Sequence, residues 1–425
     1  LRELLERDKK YVWHPYTQEK TAKEVLPIVS GEGAVLRTAD GTEVIDAIAS
    51  WWTNIHGHSH PYIAQKVYEQ LTTLEHVIFS GFTHPPAVEL AERLLKKLPS
   101  KFTKLFYSDN GSTAVEIAVK MAIQSFHNKG IDRTRIIAFE NGFHGETFGA
   151  MSVSADLGLN NAYSKQLFDV DRIPLPIEGQ EQAALDAMQA LLDDGDICCF
   201  LFEPLLQGAG GMVTYSAEIL DQLIEMCQKA GVLCIADEVM TGFYRTGKMW
   251  AIDHLKNQPD LVAMSKGITG GTLPLAATAC TEEIYKAFWS DDKQKTFFHG
   301  HSYTGNPVGC AAGLASLDLV EADGFVEKIA HINAKHQAFA ESIKDHSTVK
   351  NWRICGTVIA IEFETGESTG YFNNLRDQLY YFFLENGVLL RPLGNVIYIM
   401  PPYCMTDAQL DKVYGLIAES LSKFG

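Results

Sequence analysis

Residues 232–271, VLCIADEVMTGFYRTGKMWAIDHLKNQPDLVAMSKGITGG, decide how this chain folds. Two apolar runs, 232–236 and 261–264, are too short for free-standing helices and are bounded by turn residues, so both read as buried parallel strands. Asp237 closes the first run, and Lys266 sits just past the second. Open α/β sheets bind ligands beyond the carboxyl ends of their strands, so a carboxylate and an amine are expected at one such edge. Gly267, Gly270 and Gly271 crowd the lysine with residues that tolerate unusual backbone angles and close approach.

An amine and an acid placed this way suit pyridoxal phosphate. That cofactor needs an amine to hold its aldehyde as a Schiff base and an acid to keep its ring nitrogen protonated, so that the ring can take up a carbanion's electrons. The reading also needs a phosphate site. LFYS, an apolar strand, runs into Asp109-Asn110-Gly111-Ser112-Thr113 and then AVEIAVKMAIQSFHN, which is helical in pattern. A helix beginning at Ser112 or Thr113 would aim free N–H groups, hydroxyls and its dipole at one spot.

The same order of strand, polar turn and helix recurs. RIIAFE leads into Asn141-Gly142-Phe143-His144-Gly145-Glu146-Thr147, where a ring between two glycines suits stacking on a planar cofactor. CCFLFEP places Glu203 at a strand end, and helical segments such as AEILDQLIEMCQKAG lie between the strands. This repetition predicts an α/β fold with a mostly parallel sheet covered on both faces. Residues 50–320 are expected to form that large domain. Residues 321–425 read as a smaller α/β domain completed by residues 1–49.

Other stretches read more plainly. AVLRTADGTEVIDAI is expected to be a hairpin turning at Asp40-Gly41. The rings of Tyr11, Trp13 and Tyr16 around Pro15 are expected to pack. His56, His58 and His60 alternate as metal ligands on a strand would, but Gly57 and Pro61 make this a loop, so no metal site is expected. Thr406 and Gln409 fit a capping box for the last helix.

The chain has 425 residues, 46% hydrophobic and 21% charged, enough for a large buried core. Lysine and arginine number 36 against 53 acids, and the net charge of −17 argues against nucleic acid or an anionic membrane as partner. None of the eight cysteines forms a C-x-x-C pair, and most lie in apolar runs, as expected of reduced core residues. LRELLERDKK at the start is charged and amphipathic, without an apolar signal region, so the expected location is the cytoplasm.

With these pieces assembled, SDNGSTAVEIAVKMA, GFHGETFGAMS, FEPLLQGAGGM, IADEVMTGFYRTG, MSKGITGG and HGHSYTGNPVGCAA resemble, in family order, the class III aminotransferases of the fold type I pyridoxal-phosphate superfamily. WHPYT, SWWTNIHGHSHP, TGGTLPLAAT and LRPLGNVIYIMPPY are similar to its biotin-pathway branch. The resemblance implies that Lys266 holds the cofactor and shuttles a proton, Asp237 pairs with the pyridine nitrogen, Gly111 and Ser112 hold the phosphate, and Phe143 stacks on the ring. It implies a homodimer in which Ser302, with His301, reaches the phosphate of the neighbouring subunit. Arg391 would take a substrate carboxylate, Tyr16, Trp51, Trp52 and Tyr398 would line the pocket for an aliphatic oxo acid, and Gly300 would lie near the substrate. Arg245 and Glu203 are weaker candidates, each open to a structural ion pair. The chain departs from the pattern at Phe143, often tyrosine, at Met240, often glutamine, and at His301, usually proline in this branch. The first departure leaves stacking intact and bears on the amino donor, with S-adenosylmethionine expected and lysine the alternative.

Overall fold

A computed structural model of the chain describes all residues except 157, 159, 367, 368 and 370–372. Seven strands build its central sheet: β1 (Phe102–Ser108), β2 (Arg135–Phe139), β3 (Asp171–Ile173), β4 (Ile197–Phe202), β5 (Leu233–Asp237), β6 (Leu261–Met264) and β7 (Ala276–Thr281). Their spatial order is β1-β7-β6-β5-β4-β2-β3. The pairs from β6 through β3 are parallel, and β7 runs antiparallel to both β6 and β1. The sheet is therefore mostly parallel, as its apolar runs required.

Side chains alternate between two cores along the central strands. Phe200 and Phe202 pack with Leu220, Leu223 and Ile224 of the helix Ala217–Lys229, whereas Leu201 packs with Val115, Ala118 and Ala122 of the helix Gly111–Asn128. Covering both faces explains why β4 is apolar throughout and β5 is apolar up to its terminal Asp237. Burying each large side chain contributes roughly 1.5–3 kcal/mol, so the strand ends at the centre form a stiff rim for the site.

The chain's first and last parts share a sheet. The hairpin Val35–Thr38 with Glu43–Asp46 turns at Asp40-Gly41, where Gly41 has φ +87°, and Val388–Leu389 pairs parallel with Glu43–Asp46. A further strand, Ile28–Glu32, precedes the hairpin and was not evident in the sequence. Val349–Cys355, Val358–Phe363 and Val396–Ile399 form an antiparallel sheet, and the last strand carries Tyr398. The last helix, Asp407–Phe424, begins with the Thr406–Gln409 capping box.

Two expectations need correction. The helix after β1 starts at Gly111 rather than Ser112 or Thr113, because Asn110 is the cap: its side chain accepts from Thr113 N–H at 3.0 Å. Of the aromatic loop, Tyr16 packs within the chain, against Trp51, whereas Tyr11 is 72% and Trp13 is 87% exposed. The eight cysteines are free, and six of them are buried. His58 bonds Asp46 and His56 bonds Ser316, both to protein groups. No helix among the described residues is long and apolar enough to cross a membrane.

Candidate active site

Lys266 lies two residues beyond β6 with φ +43°, in the left-handed region. Holding a non-glycine residue there costs on the order of 1–3 kcal/mol, a strain common at functional sites. The glycines beside it let other segments close in. At Gly271, φ +83°, a Cβ would meet the backbone of Thr53 and Asn54 at 2.7 and 2.8 Å. The lysine lines a cavity of about 550 Å³, with Nζ 4.6 Å from the centre of the Trp52 ring. Among the described residues, no hydrogen-bond acceptor meets Nζ. Burial pushes its pKa down to about 8, against the opposing pull of Asp237 and Glu203.

Asp237 ends β5, beside β6, and is 5% exposed. Its Oδ2 is 2.8 Å from His144 Nδ1, and Oδ1 accepts from Val239 N–H at 3.1 Å. Glu203, just past β4, is buried and binds two backbone groups: Phe143 N–H donates to Oε1 at 3.0 Å and Gly208 N–H to Oε2 at 2.9 Å. Burial raises its pKa to about 7, with His144 lowering it and Asp237 raising it further. Glu203 thus fixes the backbone that presents Phe143 to the cavity.

The opposite end is an anion cradle. Asn110 and Thr113 cap each other, while the N–H groups of Gly111 and Ser112 have no acceptor among the described residues. Ser112 Oγ accepts from Glu146 N–H at 3.0 Å, which leaves its hydroxyl proton to donate elsewhere. A Cβ at Gly145, φ +135°, would lie 2.2 Å from Ser112 Oγ, and one at Gly111 would lie 2.6 Å from Val239 Cγ1. These positions must be glycine for the three segments to meet.

Aromatic rings build the remaining wall. Trp52 Nε1 donates to Tyr398 Oη at 3.0 Å, and the two rings meet edge to face. Tyr16 packs edge-on against Trp51 at 5.4 Å and its hydroxyl donates to Glu146. The Arg391 guanidinium lies 4.4 Å from the Trp51 ring, a cation–π contact that turns it inward. Met240 Sδ and the Trp52 ring close over Gly208, where a Cβ would meet them at 2.4 and 3.2 Å.

Tyr16, Trp51, Trp52, Gly111, Ser112, Phe143, Asp237, Lys266, Arg391 and Tyr398, all singled out in the sequence, therefore line one cavity, with Glu203 and Met240 beside them. Gly300, His301 and Ser302 do not line it. The ion-pair alternative for Glu203 and Arg245 does not hold among the described residues. Glu203 binds backbone N–H groups, and Arg245 donates to Pro401 O at 2.6 Å and lies over the Tyr403 ring. Sequence reasoning gave no role to His144 or Glu146, whose partners are 93 and 130 residues away; their place at a strand end was the available signal.

A lysine without an acceptor, an acid anchored on β5 and an unfilled N–H pair on one helix fit pyridoxal phosphate at its aldehyde, ring nitrogen and phosphate. Fold and site together define an enzyme of the fold type I class. The model of the family "Aminotransferase class-III" matches residues 16–421, and the chain belongs to that family. Its relatives include the adenosylmethionine-8-amino-7-oxononanoate aminotransferase of Synechococcus elongatus, 46% identical over 97% of this chain and 99% of that protein. The enzyme of the same name from Geobacter sulfurreducens is 38% identical over 96% and 95%. Among solved structures, that of Methanocaldococcus jannaschii with this name superposes with a TM-score of 0.93 at 35% identity, covering 98% and 99%. An omega transaminase from Pseudomonas jessenii reaches 0.92 at 27% identity, covering 99% and 98%.

Proposed function

We propose that this aminotransferase moves the amino group of S-adenosylmethionine to 8-amino-7-oxononanoate, forming 7,8-diaminononanoate for biotin synthesis. The observation that carries this is Arg391 turned inward against Trp51, at the end of a wall made by Trp51, Trp52 and Tyr398. An arginine beyond an aromatic, apolar wall suits a carboxylate carried on a long chain, because the planar guanidinium binds both carboxylate oxygens.

Pyridoxal phosphate, when bound, supplies an aldehyde that accepts the amino group and a ring that takes up the electrons of the deprotonated carbon. The chain's residues do the rest. Lys266 Nζ would hold the cofactor and then move the proton on and off the substrate carbon, and its lowered pKa suits both directions near neutral pH. Asp237 would hold a proton on the ring nitrogen, with His144 orienting its carboxylate. Phe143 and Val239 would flank the ring, and Gly111 and Ser112 would bind the phosphate through their free N–H groups. His301 and Ser302 would reach that phosphate from a second copy of the chain, Gly300 lying near the substrate, in a cytoplasmic homodimer. The exposed Trp13, Phe298 and Tyr303 support such an interface. The domain division proposed is 1–49, 50–320 and 321–425.

Phenylalanine at 143 favours one second reading, lysine as donor, since no hydroxyl is present there to order the sulfonium substrate's amino-acid end. Incubating the purified protein with pyridoxal phosphate, 8-amino-7-oxononanoate and each donor in turn tests both readings. Diaminononanoate formed with S-adenosylmethionine alone is the expected result, and none with any donor refutes the acceptor assignment.

A further inference from the structure

The wall that carries Trp51 and Trp52 is built on a backbone conformation these residues resist. Ala49, Ser50, Trp51 and Trp52 have φ of +48°, +44°, +70° and +77°. Four successive non-glycine residues thus form one turn of left-handed helix, which L residues avoid because Cβ crowds the following carbonyl. Trp52 N–H donates to Ile48 O at 2.8 Å and Thr53 N–H to Ala49 O at 2.9 Å, closing the turn. Such a conformation persists only where neighbours over-determine it.

Asp46 does so. It ends the strand Glu43–Asp46, has no exposed surface, and does not line the cavity. Its Oδ1 accepts from the N–H groups of Ile48 at 3.2 Å and Ser50 at 3.0 Å, and Oδ2 accepts from the Ser50 hydroxyl at 2.7 Å. His58 Nε2 meets Oδ2 at 2.8 Å, and Asn54 Nδ2 lies 3.4 Å from His58 Nδ1. Burial acts against the charge, yet the bonds from His58 and Ser50 hold the carboxyl below the usual range. Both oxygens are therefore spent on the strained turn and on the histidine beside it. Beyond the turn, Trp51 meets Tyr16 and Arg391, and Trp52 meets Tyr398 and Lys266.

We propose that Asp46 is a positioning residue for the oxo-acid substrate: its clamp on Ser50 fixes the left-handed turn and so sets the tryptophan wall. The chemical identity of that substrate rests on the function proposed above, whereas the clamp does not.

Asp46→Asn keeps the size and one accepting oxygen but cannot accept from the Ser50 hydroxyl and the histidine as the carboxylate does. In the cofactor-loaded protein its KM for 8-amino-7-oxononanoate should rise about tenfold, equivalent to ~1.4 kcal/mol, with kcat within about threefold. Adding Ser50→Gly to Asp46→Asn should recover much of that KM, because glycine takes positive φ without strain. A carboxylate that serves stability alone would lower Tm and the active fraction, leave KM unchanged and gain nothing from glycine; either an unchanged KM or a failed recovery overturns the proposal. Should Asp46→Asn not fold, Ser50→Ala deletes the hydroxyl bond alone. It should raise KM about threefold, on the scale of one lost hydrogen bond, and an unchanged KM overturns the proposal equally. Inactivity of the unaltered protein toward this acid refutes the substrate reading instead, and the same variants are then compared with the acceptor the protein does aminate.

Discussion

His144 and Asp237 are joined at 2.8 Å through Nδ1 and Oδ2 in the buried floor of the cavity. The bond ties the orientation of Asp237 to a ring that is itself enclosed. Asp237→Asn should leave the shape of the floor but remove its charge. The expected loss is about 10³-fold or more in kcat, on the scale of a lost preorganised electrostatic group. His144→Gln, which disturbs orientation alone, should cost roughly tenfold, one hydrogen bond to a charged group. Saturation kinetics with the bound cofactor measured by absorbance checks both, and equal losses for the two variants would contradict the division of roles.

Lys266→Ala removes the one lysine amine that lines the cavity among the described residues and could serve as acid and base at the substrate carbon. Turnover should fall by at least ~10⁴-fold, beyond the roughly 10²–10⁴ range assigned to proton transfer alone, because the covalent role is lost as well. The cradle at Gly111 and Ser112 remains, so some cofactor should stay bound. Undiminished product formation in this variant would remove the mechanism's centre.

Burial pushes the pKa of Lys266 down to about 8, so with Lys266 as the proposed anchor its neutral form would limit capture of the aldehyde. Neutral amine increases as pH rises through that value. Capture of pyridoxal phosphate by cofactor-free protein should accelerate from pH 6.5 to 9 with a midpoint near 8, whereas an ordinary lysine would still be climbing near 10. Stopped-flow absorbance across that range measures the midpoint directly.

Much of this site was legible in the sequence because parallel strands are short, apolar and end abruptly. Asp237 and Lys266 stand out as charges at such ends, and Gly111 and Phe143 as glycine-flanked turns after β1 and β2. The unread parts depend on distant pairings. β7 is a run of small residues, AATACT, without alternation, and Val349–Cys355 mixes lysine, asparagine and arginine as an edge strand does. Nothing in Ala49-Ser50-Trp51-Trp52 signals positive φ, since no glycine or asparagine is present; Asp46 imposes it. The inward turn of Arg391 was equally invisible, because it depends on Trp51, 340 residues earlier in the chain.

That contact makes Arg391→Lys a non-conservative change. Lysine keeps the charge but loses the planar fork and the stacking on Trp51. KM for 8-amino-7-oxononanoate should rise about 10- to 100-fold, the ~1.5–3 kcal/mol of a charge-assisted bond, while the rate of the donor half-reaction changes less. Separate single-turnover measurements of the two half-reactions distinguish this outcome from a general loss of activity.

Glu238, next to Asp237 but outside the cavity lining, offers a test of stability free of catalysis. It has no exposed surface, accepts from the Thr241 hydroxyl at 2.5 Å and from Ile252 N–H at 2.8 Å, and burial raises its pKa to about 7. A raised carboxyl pKa means that the folded state binds the proton more tightly than the unfolded chain does. Stability is therefore full below the unfolded value of about 4.5, falls as pH rises toward 7, and levels off above it. The loss is on the order of 3 kcal/mol at most. Glu238→Gln keeps an accepting oxygen and cannot ionise, so its Tm should match the unaltered protein near pH 4.5 and exceed it by several degrees at pH 8. Calorimetry of the cofactor-free proteins at the two pH values decides the point, and a Tm difference that is the same at both would show that Glu238 does not titrate in the folded chain as its burial requires.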